Sequence, residues 1–162
     1  MTSKTVFAGL LLSALAVSSS QAQEKFVKTF NPGSYQQILR ENAAKPFILA
    51  VWSVDCPSCL KDMGVLNQIR QNHPDLKIVM LSTDDPSATS EVKNILARNR
   101  LGDLDNWIFG SDDAQKLRYE IDPGWYGELP RTYFFSSTHN RVGKSGALKI
   151  EEFETQISKI KP

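Results

Sequence analysis

The stretch that decides the fold of this chain is FILAVWSVDCPSC, residues 47–59. Its first six residues, Phe47–Trp52, are apolar without alternation, which is typical of a central strand covered on both faces. The stretch ends in Cys56 and Cys59, the only two cysteines of the chain, which lie three positions apart at the predicted start of a helix. Two such thiols can close into a small disulfide ring and open again. The pair is therefore a disulfide with each other, a dithiol, or half of a metal site.

The size and composition of the chain are those of an ordinary soluble globular protein. Its 162 residues are enough for one domain, and 41% of them are hydrophobic against 23% charged. The formal net charge is only +1. Because a nucleic-acid-binding surface needs clustered basic charge, we expect no nucleic-acid partner.

The N-terminus has the pattern of a secretory signal peptide. Lys4 supplies a positive charge, residues 6–17 are apolar, and small residues precede a predicted cut after Ala22. This apolar run is too short to span a bilayer, which needs about 20 residues. We therefore predict a signal peptide at residues 1–22 and a periplasmic mature chain, residues 23–162, without a stable membrane anchor. The alternative is an uncleaved N-terminal anchor.

Export also bears on the cysteine pair. In an oxidising compartment, a small domain that needed disulfides for stability would usually carry more than one. The predicted mature chain is long enough to build a core without them. The single pair therefore favours a working dithiol over a structural disulfide.

Strands and helices alternate along the predicted mature chain. We expect strands at residues 26–30, 47–53, 76–81, 131–135 and 141–144. We expect helices at residues 34–42, 57–72, 86–98, 113–119 and 150–160. A short apolar piece, residues 107–109, and a loop rich in proline, glycine and aromatic residues, 121–129, lie between them. This order predicts an α/β domain whose sheet has parallel pairs, with an antiparallel part from the closing hairpin.

A second motif, Gly127-Glu128-Leu129-Pro130-Arg131-Thr132, follows the Cys-x-x-Cys pair about seventy residues later. With the preceding buried strand, the two motifs resemble the thioredoxin fold. Within that fold the chain looks most like the exported TlpA/ResA-type thiol–disulfide oxidoreductases, over residues 47–160. The resemblance implies one thioredoxin-like domain at residues 23–162, with a central mixed β-sheet flanked by helices.

The resemblance also implies roles for individual residues. Cys56 would be the exposed attacking thiol, and Cys59 the more buried thiol that resolves the mixed disulfide. Pro130 would be a cis-proline that faces the dithiol and presents the backbone of Leu129 to an extended client chain. Asp62 matches the place where these proteins usually carry a Glu that exchanges protons with the resolving cysteine. The alternative for Asp62 is an ordinary surface carboxylate.

Aromatic residues flank the predicted client site. Trp125 and Tyr126 precede Pro130, and Arg131 follows it. We expect Trp125 to line the client groove, although aromatic residues in a loop are as often buried against the core.

The chain departs from the family pattern at four positions. Asp55 stands where the family usually has Trp, Gly64 where a Pro is common, and Ala50 in the place of a buried Asp of thioredoxin; Asp62 is one methylene shorter than Glu. These departures bear on the reduction potential and on the natural partner more than on the fold.

The predicted helix start gives Cys56 its chemistry. With Cys56 at the N-cap and Pro57 at the first helical position, free N–H groups and partial positive charge lie near the sulfur and favour the thiolate. A nearby Asp55 carboxylate would disfavour a second negative charge. We hypothesise that Asp55 keeps the protein reducing; the alternative is a solvated side chain that points away from the sulfur.

We therefore expect a periplasmic protein-disulfide reductase, of the cytochrome c maturation type or similar, that needs no cofactor. Its partners would be protein clients with thiols or disulfides and a membrane-embedded thiol electron donor. The alternatives are a disulfide oxidase or isomerase, a Cu(I)-handling protein that uses Cys56 and Cys59, and an inert relative with a permanent disulfide. Zinc would need His73 and His139 to converge with the cysteines, and the length of the helix that separates Cys59 from His73 argues against it.

Overall fold

The apolar run Phe47–Trp52 forms a central strand of a six-stranded sheet, β2. The computed structural model of the protein describes residues 27–161. The predicted signal peptide and Phe26, the expected start of the first strand, lie outside the described residues. No helix within the described part of the chain is long and apolar enough to cross a membrane.

Apart from one further strand, the elements follow one another in the order that the sequence predicts. The strands are β1 Lys28–Phe30, β2 Phe47–Trp52, β3 Lys77–Ser82, β4 Asp105–Phe109, β5 Arg131–Phe135 and β6 Arg141–Ser145. The helices are α1 Ser34–Glu41, α2 Pro57–Asn72, α3 Thr89–Arg98, α4 Ala114–Ile121 and α5 Ile150–Ile160.

The sheet is mixed, as predicted. Its strand order is β1-β4-β3-β2-β5-β6. The first four strands in this order are parallel, while β5 pairs antiparallel with β2 and β6 antiparallel with β5. The carboxyl ends of β2 and β3 therefore lie side by side, and β5 begins next to them.

Alternate residues of β2 face opposite sides of the sheet, and each side has its own hydrophobic core. Ile48, Ala50 and Trp52 belong to the core under α2, α3 and α5. The other three residues of β2 belong to the core under α1 and α4. Because both faces of β2 are covered, its sequence is apolar throughout.

The structure corrects three details of the predicted elements. The short apolar piece at residues 107–109 belongs to a sixth strand, β4, which begins at Asp105 and pairs with both β1 and β3. The helix expected from Pro86 begins as a 3₁₀ turn, Pro86–Ala88, before α3. Helix α4 continues through Ile121, which we expected in the loop, because that side chain packs into the core.

Candidate functional site

Cys56 caps the N-terminus of α2, directly after the turn that leaves β2. Pro57 occupies the first helical position, where its missing N–H costs nothing. Cys56 and Cys59 form a disulfide, with their Cα atoms 5.2 Å apart. The backbone N–H of Cys59 also donates to Cys56 Sγ at 3.1 Å. The first sulfur therefore lies where the free N–H groups of the helix start can stabilise negative charge.

The two sulfurs differ in their access to solvent. Cys56 is partly exposed, whereas Cys59 is 1% exposed and belongs to the hydrophobic core under α2. Only Cys56 is thus accessible to an incoming sulfur atom of another molecule. This asymmetry is the one that the predicted roles of attacking and resolving thiol require.

Asp62 is buried one helical turn after Cys59, with 6% of its surface exposed. Burial raises the pKa of Asp62 to about 6, although a hydrogen bond with the backbone of Leu148 favours the charged form. A carboxyl group with this pKa can take up or release a proton near neutral pH. Such a group on the Cys59 face of α2 is suited to proton exchange.

The peptide bond between Leu129 and Pro130 is cis, as predicted. Arg131, the next residue, lies opposite Val51 in the sheet, so Pro130 lies beside the carboxyl end of β2 from which the chain runs to Cys56. Leu129 is partly exposed. No residue of the described chain forms a hydrogen bond with the N–H or C=O of Leu129.

The two aromatic residues before Pro130 lie in different environments. Trp125 is 4% exposed, packs in the core under α1 and α4, and donates from Nε1 to the carbonyl of Glu128 at 3.0 Å. Tyr126 is 92% exposed. The buried indole of Trp125 therefore anchors the loop to the core, whereas the phenol ring of Tyr126 is exposed at the surface.

A polar network that sequence reasoning missed fixes the loop before Pro130. Asp122 Oδ2 accepts from Arg131 and from the Tyr133 hydroxyl, both at 3.1 Å, and Oδ1 lies 3.3 Å from Arg141 Nη2. Although burial alone would raise the pKa of Asp122, the backbone N–H of Gly124, the Tyr133 hydroxyl and the two arginines hold it below its usual range.

Sequence reasoning also missed Asp84, which follows β3. Its carboxylate accepts hydrogen bonds from the Ser53 hydroxyl and the Val54 N–H, in the turn between β2 and Cys56. The side chain of Asp55 is exposed. The position of Asp84 could have been a signal, because carboxyl ends of neighbouring parallel strands meet at one edge of a sheet.

The histidines lie apart from the cysteine pair. His73, at the far end of α2, has Nε2 2.7 Å from Glu154 Oε2, and His139 Nε2 lies 3.1 Å from the carbonyl of Asn42. Within residues 27–161, no group of three or more His, Cys, Asp or Glu side chains is arranged to hold a metal ion.

No protein-family model matches the chain, and no curated protein is similar to it at a significant level. Solved structures do share its fold. A thiol:disulfide interchange protein of the thioredoxin family from Chlorobium tepidum superposes with a TM-score of 0.62 at 12% identity, over 75% of this chain and 83% of that one.

Two further structures superpose over a similar range. A secreted disulfide oxidoreductase of Mycobacterium tuberculosis, homologous to DsbE of E. coli, gives a TM-score of 0.58 at 15% identity, covering 74% of this chain and 85% of that one. StoA from Bacillus subtilis gives 0.55 at 18% identity, covering 71% and 84%. Together with the strand order and the disulfide at the start of α2, these likenesses show that the described chain has a thioredoxin-like fold.

Proposed function

We propose that the protein is a thiol–disulfide oxidoreductase that uses Cys56 and Cys59. The observation that carries this proposal is the difference in exposure between two cysteines of one ring: Cys56 is accessible at the helix start, and Cys59 is buried behind it. A purely structural disulfide needs no such asymmetry. The same fold in solved disulfide oxidoreductases supports the proposal.

In the reductive direction the exchange has two steps. The Cys56 thiolate attacks one sulfur of a client disulfide; a Cys56–client bond forms, the client S–S bond breaks, and one client thiolate leaves. Cys59 then attacks Cys56 Sγ; the internal disulfide forms, the Cys56–client bond breaks, and the second client thiolate leaves. Two electrons pass to the client, and the protein is left oxidised.

Asp62 would assist the second step. The Cys59 thiol must lose its proton before it attacks, and the core around it has no bulk water to accept that proton. A buried carboxyl group with a pKa of about 6 on the same helix can accept the proton and later release it.

The client would bind beside Pro130. The free N–H and C=O of Leu129 can pair with an extended segment of the client, as an added strand does. We assign Trp125 an indirect part in this site, since its buried indole supports the loop that carries Leu129. Tyr126 offers the client an exposed aromatic surface.

We favour a reductase that acts in the periplasm. The signal-peptide pattern of residues 1–22 indicates export, and a secreted oxidoreductase is among the proteins of the same fold. A carboxylate at Asp55 disfavours the Cys56 thiolate and hence the reduced form, which makes the protein a stronger reductant. A reductase in an oxidising compartment must be reduced again, for which we propose a membrane-embedded thiol donor.

Trapping of mixed disulfides tests the proposal. In a Cys59→Ser variant the second step cannot occur, so we expect protein clients to remain bound to Cys56 through a disulfide that dithiothreitol releases. The Cys56→Ser variant is the matched control and should trap almost nothing, because Cys59 is buried. Non-reducing gels of cells that express each variant measure this.

The reduction potential of the wild-type pair separates the alternatives. We expect a value between about −300 and −200 mV, below that of disulfide isomerases near −180 mV. A value well above −180 mV would indicate an oxidase. A value below about −300 mV, with no trapped clients, would indicate a structural disulfide and contradict the proposal.

A further inference from the structure

One carboxylate, that of Asp84 at the end of β3, holds the turn between β2 and α2, residues 53–55. Asp84 Oδ1 accepts from the Ser53 hydroxyl at 2.7 Å, and Oδ2 accepts from the Val54 N–H at 3.0 Å. Ser53 and Val54 are distant from Asp84 in sequence and meet it only because β2 and β3 are adjacent and parallel. The turn has no regular secondary structure of its own.

The same turn carries Cys56. The Cys56 N–H donates to the carbonyl of Ser53 at 3.2 Å, and the Asp55 N–H donates to the Ser53 hydroxyl oxygen at 3.2 Å. Ser53 is thus bonded on one side to Asp84 and on the other to Asp55 and Cys56, the two residues that precede α2. A shift of Ser53 would move the N-cap.

Asp84 is itself fixed by β3. The buried Ser82 donates its hydroxyl to Asp84 Oδ2, and the Asp84 N–H donates to Ser82 Oγ at 3.1 Å. The N–H of Thr83 donates to the carbonyl of Trp52 at 2.9 Å, which continues the β2–β3 ladder up to the turn. The carboxylate therefore transmits the position of a rigid sheet to a loop.

We infer that Asp84 is a positioning residue for Cys56: by holding Ser53 and Val54 to strand β3, it keeps the Cys56 sulfur at the N-cap of α2 after the disulfide has opened. The inference rests on the proposed function. In the oxidised protein the disulfide ring also constrains Cys56, whereas in the reduced protein that covalent constraint is gone. The Asp84 contacts then keep Cys56 Sγ within reach of the Cys59 N–H, which stabilises the thiolate.

The hydrogen bonds of Asp84 and its negative charge should have opposite effects on the rate at which Cys56 attacks. The negative charge of a carboxylate near the turn disfavours the Cys56 thiolate, so removing the charge alone would speed attack. The loss of the two bonds to the turn would slow attack, because the sulfur leaves the helix start. Three donors, from Ser53, Val54 and Ser82, already compensate this carboxylate, so we expect geometry to dominate.

Two substitutions of Asp84 separate these effects. In Asp84→Asn the amide oxygen can still accept from the Val54 N–H, and the amide N–H₂ can donate to the Ser53 hydroxyl oxygen. In Asp84→Ala both bonds are lost. Ser53→Ala removes the bond to Asp84 Oδ1 together with the bond from the Asp55 N–H, and it keeps the charge of Asp84. Asp85→Asn is the matched control, since the neighbouring Asp85 is exposed and accepts instead from the Ser87 N–H.

The measurement is the rate at which iodoacetamide alkylates Cys56 in the reduced full-length protein, followed by mass spectrometry from pH 5 to pH 9. We expect Asp84→Ala to slow alkylation at pH 7 about three- to tenfold and to move its pH midpoint upward. Asp84→Asn and Asp85→Asn should stay within about twofold of wild type. Ser53→Ala should lie between wild type and Asp84→Ala. Adding it to Asp84→Ala should slow alkylation by less than it does in the wild-type background, because the two residues share one contact.

Other outcomes overturn the inference. Equal acceleration in Asp84→Ala and Asp84→Asn would mean that the charge acts and the geometry does not. An unchanged pH midpoint in Asp84→Ala, with a lower stability of the oxidised protein, would mean a structural role only. Alkylation needs no client, so failure to trap clients in Cys59→Ser would reject the proposed function without deciding on Asp84.

Discussion

At the scale of single residues, the first turns of α2 bury a different face from the one that hydrophobicity alone predicts. Leu60 is 39% exposed, whereas the charged residue Asp62 is buried. The buried stripe of α2 begins at Cys59 and continues through Asp62, Met63 and Leu66, at spacings of three and four residues. The buried stripe therefore has the register of Cys59, and this register places the Asp62 carboxyl group in the core.

The burial of Asp62 should make stability depend on pH. The pKa is about 6 in the folded protein against 3.8 in the unfolded chain, so the folded state holds the proton more tightly and loses stability as the pH rises between these values. We expect Asp62→Asn to raise the free energy of unfolding by about 1–3 kcal/mol at pH 7.5 and to change it little at pH 3.5.

Urea unfolding of the oxidised protein at several pH values measures this effect of Asp62. Asp55→Asn, which removes an exposed carboxylate near the same helix start, is the control and should show no such pH-dependent gain. A gain for Asp62→Asn that is equal at pH 3.5 and pH 7.5 would contradict the assigned cause, the burial of charge.

At the scale of elements, α2 contains a glycine that the structure does not require. Gly64 lies on the exposed side of the helix, and a Cβ atom there would meet no atom within 4 Å. Glycine in a helix interior costs about 0.5–1 kcal/mol relative to alanine. We therefore expect Gly64→Ala to raise the free energy of unfolding by about that amount, without changing the reduction potential.

Gly143 in β6 is a second glycine, for which we expect alanine to have the opposite effect on stability. A Cβ atom at that position would collide with the Arg131 guanidinium and the Tyr133 ring. Gly143→Ala should therefore destabilise the protein by about 1–3 kcal/mol. Thermal unfolding of the two variants compares them, and a destabilised Gly64→Ala would show that the surface of α2 is covered by something other than solvent.

At the scale of the whole molecule, two carboxylates, buried Asp105 and half-buried Asp122, join parts of the chain that are far apart in sequence. Asp105 in β4 lies 2.9 Å from Lys28 in β1 and 3.2 Å from Lys77 in β3. Burial alone would raise the pKa of Asp105, but the hydrogen bond from Lys28 and the charge of Lys77 lower it below its usual range. Asp122 joins the end of α4 to β5 and β6 in the same way.

These two carboxylates should govern acid unfolding. Their folded pKa values are lower than the unfolded value of 3.8, so their contribution is present above that value and is lost as the pH falls through the folded values. We expect Asp122→Ala to lower the free energy of unfolding by about 1–3 kcal/mol at pH 6, and the difference from wild type to shrink below pH 4.

As far as these three carboxylates decide it, the wild-type protein should be most stable at about pH 4, because Asp62 lowers the stability above that pH and Asp105 and Asp122 lower it below that pH. Asp75→Asn, in the exposed loop before β3, is the control for the Asp122 substitution. A loss in Asp122→Ala that does not shrink in acid would assign it to packing instead of charge.

The sequence by itself determined the features that depend on one segment of chain. The apolar run of β2, the spacing of Cys56 and Cys59, and the proline at the first position of α2 are local patterns, and the structure has the strand, the disulfide and the helix where they predict them. The cis bond before Pro130 was also predictable, through a resemblance of motifs.

Only the tertiary structure decided which distant groups meet at the site. Residues 107–109 showed no strand pattern of their own, yet they lie between β1 and β3. The contacts of Asp84 with Ser53 and of Asp122 with Arg141 depend on the order and register of the strands. Periodicity along one element indicates which side of that element is buried. Hydrogen bonds between elements depend instead on the order and register of all the strands. The contact of Asp84 with Ser53, in the turn before Cys56, is one of these bonds.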